Sequence, residues 1–131
     1  MATNADTVRQ GYEAFGRGDV EGALTTLADD IEWQGPESER VPGAGTHRGK
    51  DEVQQLWQTL ASEIDGLRVE PDEFLEGEET VTVLGNTSGT ARSTGTEFKV
   101  PFVHVWRFEN GTPTRVQTLT DTAVIADALG S

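Results

Sequence analysis

The stretch FKVPFVHVWRF, residues 98–108, is the longest apolar run in the chain. Read with the period of two of a β-strand, alternate residues fall on one face. That face carries five apolar side chains and one imidazole, in the order Phe98, Val100, Phe102, His104, Trp106 and Phe108. The pattern predicts a strand that covers a buried core on one side. His104 would then be a polar group set into an apolar wall.

Four long antiparallel strands are predicted in the second half of the chain, at residues 67–75, 80–91, 97–108 and 114–120. Pro71 marks the first of them as an edge strand or the site of a bulge. Asn110-Gly111 is a hairpin signal between the last two. With a two-residue turn, His104 faces Gln117. With a three-residue turn and a glycine bulge, it shares a face with Thr118.

Helices are predicted where apolar residues recur at i, i+3, i+4 and i+7, at residues 4–15, 20–27 and 50–63. Gly16 and Gly18 would end the first helix, and Asp19 would cap the second. Gly66 is expected to stop the third helix. A short strand at 31–33 and a glycine-rich loop at 35–49 precede the third helix, and Asp121 would cap a short C-terminal helix at 121–130.

The predicted order is therefore ααβαββββ with a short C-terminal helix, in a single domain over residues 1–131. Three N-terminal helices on one face of a curved antiparallel sheet make an α+β fold shaped like a cone. The interior of such a cone is concave and apolar, which is typical of sites for small molecules.

The composition excludes some classes of binding partner. With 23 acidic against 10 basic residues the net charge is −13, which argues against nucleic acid and anionic membranes. No apolar stretch approaches the roughly 20 residues that span a bilayer. Residues 1–6 lack the features of a signal peptide, and cysteine is absent, so a cytoplasmic protein is expected. The acidic surface indicates either high solubility or adaptation to high salt.

Several motifs together resemble the SnoaL-like branch of the nuclear-transport-factor-2-like, or ketosteroid-isomerase-like, superfamily. They are the helix–Gly-Asp–helix junction, ADDIEW at 28–33, GTHRGK at 45–50 and HVWRFENG at 104–111. The resemblance implies a cone-shaped α+β barrel and, commonly, a homodimer formed through the sheet. These motifs are degenerate, so they specify the fold better than the reaction.

The catalytic residues of two relatives match this chain incompletely. The resemblance places the base of ketosteroid isomerase at Gly35 and its catalytic tyrosine at Gly11, one residue before Tyr12. The second oxyanion donor of that isomerase falls at His104. In the SnoaL-type cyclase the catalytic histidine also matches His104, and its aspartate partner matches Thr118. The cyclase comparison favours the register that brings His104 and Thr118 together.

His104 is therefore the predicted catalytic residue. The residues predicted to line a pocket for a small hydrophobic molecule are Tyr12, Phe15, Trp33, Trp57, Phe102 and Thr118. Burial is expected to lower the pKa of His104 below about 6.5. The alternatives are a structural histidine and ordinary core aromatics. No cofactor and no metal are expected, since the acids at Asp29, Asp30 and Glu32 fit a solvated helix end.

Two functions remain open from the sequence. One is isomerase, cyclase or dehydratase chemistry on a hydrophobic carbonyl compound, with His104 handling the proton and Tyr12 or Thr118 orienting it. The other is a non-catalytic module of the same fold that binds a ligand or dimerises. A purely structural dimer would instead fill its cavity with side chains.

Overall fold

The computed structural model describes residues 3–130. Within that range the elements are α1 Asn4–Gly16, α2 Val20–Thr25, β1 Glu32–Gln34, β2 Thr46–Arg48, α3 Gly49–Glu63, β3 Ile64–Glu76, β4 Thr80–Ala91, β5 Glu97–Glu109, β6 Thr112–Thr120 and α4 Thr122–Leu129. None of the helices in these residues is long and apolar enough to cross a bilayer. The domain predicted over 1–131 includes residues 1, 2 and 131, which lie outside the described range.

The strands of the described chain form one curved, open sheet in the order β2-β1-β6-β5-β4-β3, and the helices pack on one side of it. This confirms the predicted cone-shaped α+β fold. Two details of the prediction were wrong. Residues 46–48 form β2 inside the expected loop, and the sheet, expected to be antiparallel, contains one parallel pair, β1 with β6. The sheet is therefore mixed, because a long connection returns the chain beside β1 in the same direction.

Side-chain caps start three of the helices. The Thr3 side chain accepts from Asp6 N in a capping box at α1, Asp19 accepts from Gly22 N at α2, and Asp121 accepts from Val124 N at α4. The predicted caps at Asp19 and Asp121 are confirmed. α2 is shorter than predicted and ends at Thr25, before Leu27.

The prediction that Gly66 ends α3 was wrong. The helix stops at Glu63, and Ile64 already begins β3. Gly66 has φ +63° and lies at a register shift of the β3–β4 pair, between Asp65 and Arg68. Glycine adopts this left-handed conformation without a Cβ clash, so here it forms a bulge inside a strand. The second shift, at Pro71, confirms the bulge and edge position predicted there.

The predicted face of β5 is turned toward the helices. Its apolar residues, Phe98, Val100, Phe102, Trp106 and Phe108, are all buried, and His104 between them is half-buried. His104 pairs with Thr118 on β6, which confirms the favoured register. The three-residue turn predicted for this register was wrong, because the turn has two residues, Asn110 and Gly111, both with positive φ. The extra residue that shifts the register lies further along β6, opposite Arg107 and Phe108.

Candidate functional site

A cavity of about 170 Å³ lies between the helices and the concave face of the sheet. All seven residues selected from the sequence line it: Tyr12, Phe15, Trp33, Trp57, Phe102, His104 and Thr118. They come from α1, β1, α3, β5 and β6, so the fold brings together side chains that are far apart in the chain. The cavity is therefore open space rather than the filled core expected of a purely structural domain.

No charged side chain lines the cavity among the described residues. The polar side chains in its lining are His104, Tyr12, the three tryptophans with their indole N–H groups, and threonines. An ion entering this space would lose its hydration without meeting a counter-charge, which costs several kcal/mol or more. The cavity therefore suits uncharged, largely apolar molecules.

Aromatic rings form much of the wall. Trp33 packs edge to face with Trp57 and with Trp106, in each case with ring centroids 5.7 Å apart. Phe15 packs the same way on Trp57 at 5.3 Å. These edge-to-face contacts fix the rings in place and stabilise the wall beyond the burial of their area. All three tryptophans of the chain thus lie at the cavity.

A chain of hydrogen bonds ends at His104. Trp106 Nε1 donates to the Tyr12 hydroxyl oxygen at 3.1 Å, and that oxygen lies 2.6 Å from His104 Nδ1. The rings of Tyr12 and His104 are nearly parallel, with centroids 5.9 Å apart. The ring of Phe102 stacks on the imidazole of His104, with centroids 4.0 Å apart. The hydroxyl of Tyr12 therefore makes the contact with His104 that the hypothesis of an orienting Tyr12 requires.

The other ring nitrogen of His104, Nε2, has no hydrogen-bond partner among residues 3–130. Nε2 is not fully buried either. Among the side chains of that range, only Arg115 Nε is a fully buried polar atom without a hydrogen-bond partner. Since His104 lines the cavity, we infer that Nε2 is open to the cavity space.

Burial changes the acid–base properties of both groups. It lowers the pKa of His104 to about 3, because the imidazolium would lose its hydration inside the protein. The predicted direction is confirmed. Burial also raises the pKa of Tyr12, and the hydrogen bond from Trp106 offsets part of that rise. At neutral pH the pair is therefore an uncharged imidazole and an uncharged phenol.

The hydroxyl of Thr118 already makes a hydrogen bond within the protein. Its hydroxyl donates to the main-chain oxygen of Gln34 at 2.9 Å, so its proton is engaged outside the cavity. Only its lone pairs remain for a ligand. Asp121, three residues after Thr118 in the sequence, caps α4.

The loop between β1 and β2 also lines the cavity, through Gly35, Pro36, Val41, Pro42 and Gly43. These residues were not predicted from the sequence, although Val41 directly follows the polar run of residues 37–40 and could have indicated a buried position. His47 and Arg48 do not line the cavity in the described structure. His47 Nε2 lies 3.0 Å from Gly43 O, so it holds the loop together.

The acidic residues near β1 form ion pairs. Asp29 lies 3.3 Å from Lys50, and Glu32 lies 3.5 Å from Arg48 and 3.2 Å from Arg115. Within the described part of the chain, no group of three or more His, Asp or Glu side chains is placed to hold a metal ion.

Comparison with known proteins identifies relatives of this arrangement. The model of the SnoaL-like domain matches residues 8–116. An NTF2-like protein of unknown function from Burkholderia pseudomallei K96243 is 39% identical over 100% of both chains, with a TM-score of 0.91. An NTF2-like protein from Burkholderia thailandensis E264 is 33% identical over 98% of each chain, also with a TM-score of 0.91.

A third solved structure is that of TerC, co-crystallised with polyporic acid. TerC is 29% identical to this chain over 98% of each, with a TM-score of 0.88. No curated protein matches the chain.

Proposed function

Because the chain belongs to the SnoaL-like domain family, we propose that it binds an uncharged, apolar or aromatic small molecule whose one polar group meets His104. The observation that carries this proposal is the cavity itself. Its described lining has no charged side chain, and His104 Nε2 has no hydrogen-bond partner among the described residues. Burying an apolar ligand there is favoured by the hydrophobic effect, and a single polar contact fixes the orientation of the ligand.

The experiment is a titration with cumene, an uncharged aromatic hydrocarbon small enough for the cavity, followed by amide NMR. We expect shifts confined to residues that line the cavity. Phe15→Ala, which removes part of the wall, should weaken binding severalfold. Leu75→Ala is the matched control, because Leu75 is 53% exposed and lies outside the cavity lining. Shifts spread over the surface, or none, would contradict the proposal.

Polyporic acid, the compound crystallised with TerC, is a second probe, and as an acid it also tests whether the uncharged lining admits an anion. All three tryptophans lie at the cavity, so an aromatic ligand entering it should change the intrinsic fluorescence. Saturable quenching that is weakened by Phe15→Ala would place the compound in the cavity. Quenching that stays the same in that variant would not.

Acid/base chemistry on a carbonyl compound is the second candidate function. What favours it is the Trp106–Tyr12–His104 chain, which holds a neutral imidazole against the cavity. A neutral imidazole can polarise a carbonyl, as isomerisation, cyclisation and dehydration of ketones require. Its low pKa makes it a weak base, and the described lining offers no carboxylate to take the proton. Binding is therefore the better supported of the two.

Hydrogen–deuterium exchange separates these candidates. The α-protons of 2-tetralone in D₂O should exchange faster with the protein than without it if the site activates carbonyls. His104→Phe, which keeps the ring volume and removes both nitrogens, should abolish the acceleration. Equal exchange rates with the protein, the variant and buffer would contradict catalysis and leave ligand binding as the only candidate function.

We also propose a homodimer through the outer face of the sheet. Leu84, Val103 and Leu119 lie side by side across β4, β5 and β6 on that face, and Leu119 is 61% exposed. A second copy would cover this apolar row. Leu119→Glu should convert a dimer into a monomer in light scattering, whereas Val124→Glu on α4, 41% exposed, should not. A native monomer at micromolar concentration would contradict this.

A further inference from the structure

The hydrogen-bond chain decides which nitrogen of His104 carries its proton. Trp106 Nε1 can only donate, so it occupies one lone pair of the Tyr12 oxygen. The contact between that oxygen and His104 Nδ1 contains one proton. Either the phenol donates to a bare Nδ1, or a protonated Nδ1 donates to the phenol oxygen. Because burial keeps the imidazole neutral, the first arrangement leaves the proton on Nε2.

Two observations favour donation by Tyr12. The separation of 2.6 Å suits an O–H donor, because hydrogen bonds from N–H groups are typically about 2.9–3.0 Å long. In the reverse arrangement the Tyr12 hydroxyl proton would need another acceptor, and none is present among residues 3–130. Donation from Trp106 also polarises the hydroxyl, so the two bonds strengthen each other.

We propose that Trp106 and Tyr12 hold His104 as the Nε2–H tautomer, so that the cavity presents a hydrogen-bond donor and selects ligands with an acceptor oxygen, such as a ketone or quinone carbonyl. This specificity rests on the proposed binding function. Tyr12 and Trp106 act as positioning residues, since they reach the ligand through His104. Thr118 adds only an acceptor, because its proton is donated to Gln34 O.

The tautomer can be read directly and without any ligand. The chain has only two histidines, His47 and His104, so long-range ¹H–¹⁵N spectra of the imidazoles resolve both rings. We expect His104 to show a protonated Nε2 and a bare Nδ1 at pH 7. A protonated Nδ1 would overturn the proposal.

Tyr12→Phe tests the positioning role. It keeps the ring that stacks on His104 and removes the hydroxyl, and Tyr12 is the only tyrosine in the chain. The tautomer of His104 should become mixed, while the signals of His47 stay unchanged. An unchanged His104 tautomer in this variant would overturn the role assigned to Tyr12.

Matched probes test the specificity. Acetophenone can only accept a hydrogen bond, indole has an N–H donor and no oxygen acceptor, and cumene does neither. His104→Phe should weaken acetophenone binding about five- to tenfold, the usual effect of one hydrogen bond, and leave indole and cumene unchanged. Weaker indole binding with acetophenone unaffected would mean a bare Nε2 and would refute the inference.

Failure of this inference is distinguishable from failure of the proposed function. If cumene binds in the cavity and the affinity for acetophenone does not depend on His104, the cavity binds ligands but the His104 N–H donor does not select them. If none of the three probes binds, the proposed function fails, and the tautomer spectra alone then decide whether the hydrogen-bond chain acts as described.

Discussion

Acidification should destabilise the fold through His104. In the unfolded chain its pKa is about 6.5. In the folded chain burial lowers the pKa to about 3. Between these pH values the unfolded chain binds a proton that the folded chain does not, so the unfolded state is favoured as the pH falls. The stabilising contribution is therefore complete above about pH 6.5 and decreases steadily below it.

The size of the effect follows from the two pKa values. Each pH unit below 6.5 costs about 1.4 kcal/mol of unfolding free energy until the folded-state pKa is reached. The expected loss is about 1 kcal/mol at pH 5.5 and about 3 kcal/mol at pH 4.5. Tyr12 does not contribute, because its raised pKa keeps it protonated throughout this range.

The assay is urea unfolding of the native protein and of His104→Phe at pH 7.5, 5.5 and 4.5. The 23 acidic residues also respond to pH, but they are common to both proteins. The difference between the two unfolding free energies isolates His104. We expect this difference to shift by about 3 kcal/mol in favour of the variant between pH 7.5 and 4.5. Parallel pH profiles would refute the reasoning that His104 is held neutral by burial.

Three further predictions concern packing and charge. In Gly35→Ala the new Cβ would lie 2.0 Å from the Gly43 carbonyl oxygen, so we expect thermal unfolding several degrees lower, whereas Gly16→Ala meets nothing within 4 Å and should be neutral. Ile31→Ala, at a fully buried position, should cost about 2–5 kcal/mol in urea, against almost nothing for Leu75→Ala, which is 53% exposed. With a net charge of −13, the Tm should rise in molar KCl as repulsion is screened; no rise would contradict a surface adapted to salt.

Local patterns in the sequence predicted local features of the fold. The alternation along residues 98–108 identified the buried face of β5, because every second side chain of a strand points the same way. The caps at Asp19 and Asp121 could be predicted because a helix cap depends only on residues within one helical turn.

Features that depend on distant partners were missed. β1 and β2 have three residues each, too few for a clear alternation, and β1 gains its parallel partner from a strand about 80 residues away. Gly66 looked like a helix stop because glycine signals both helix ends and bulges. Only the pairing of β3 with β4 distinguishes the two.

The site shows the same division. Composition and pattern identified His104 and the aromatic residues, but they could not reveal that Tyr12 and His104, 92 residues apart, lie within hydrogen-bond distance. The resemblance placed the catalytic tyrosine of the isomerase one residue before Tyr12. The structure shows how Tyr12 reaches the imidazole, because its hydroxyl oxygen lies 2.6 Å from Nδ1 of His104 on β5.

A single inserted residue in β6 determines the polarity of the cavity. Close to the turn, Glu109 pairs with Thr112 and Phe108 with Pro113, but beyond the register shift Arg107 pairs with Arg115. Without that shift His104 would face Gln117, and Arg115 would lie beside Trp106 on the cavity side. The bulge instead turns Arg115 outward to Glu32 and brings Val116 and Thr118 inward. An apolar cavity around a neutral imidazole therefore depends on the bulge as much as on the residues that line it.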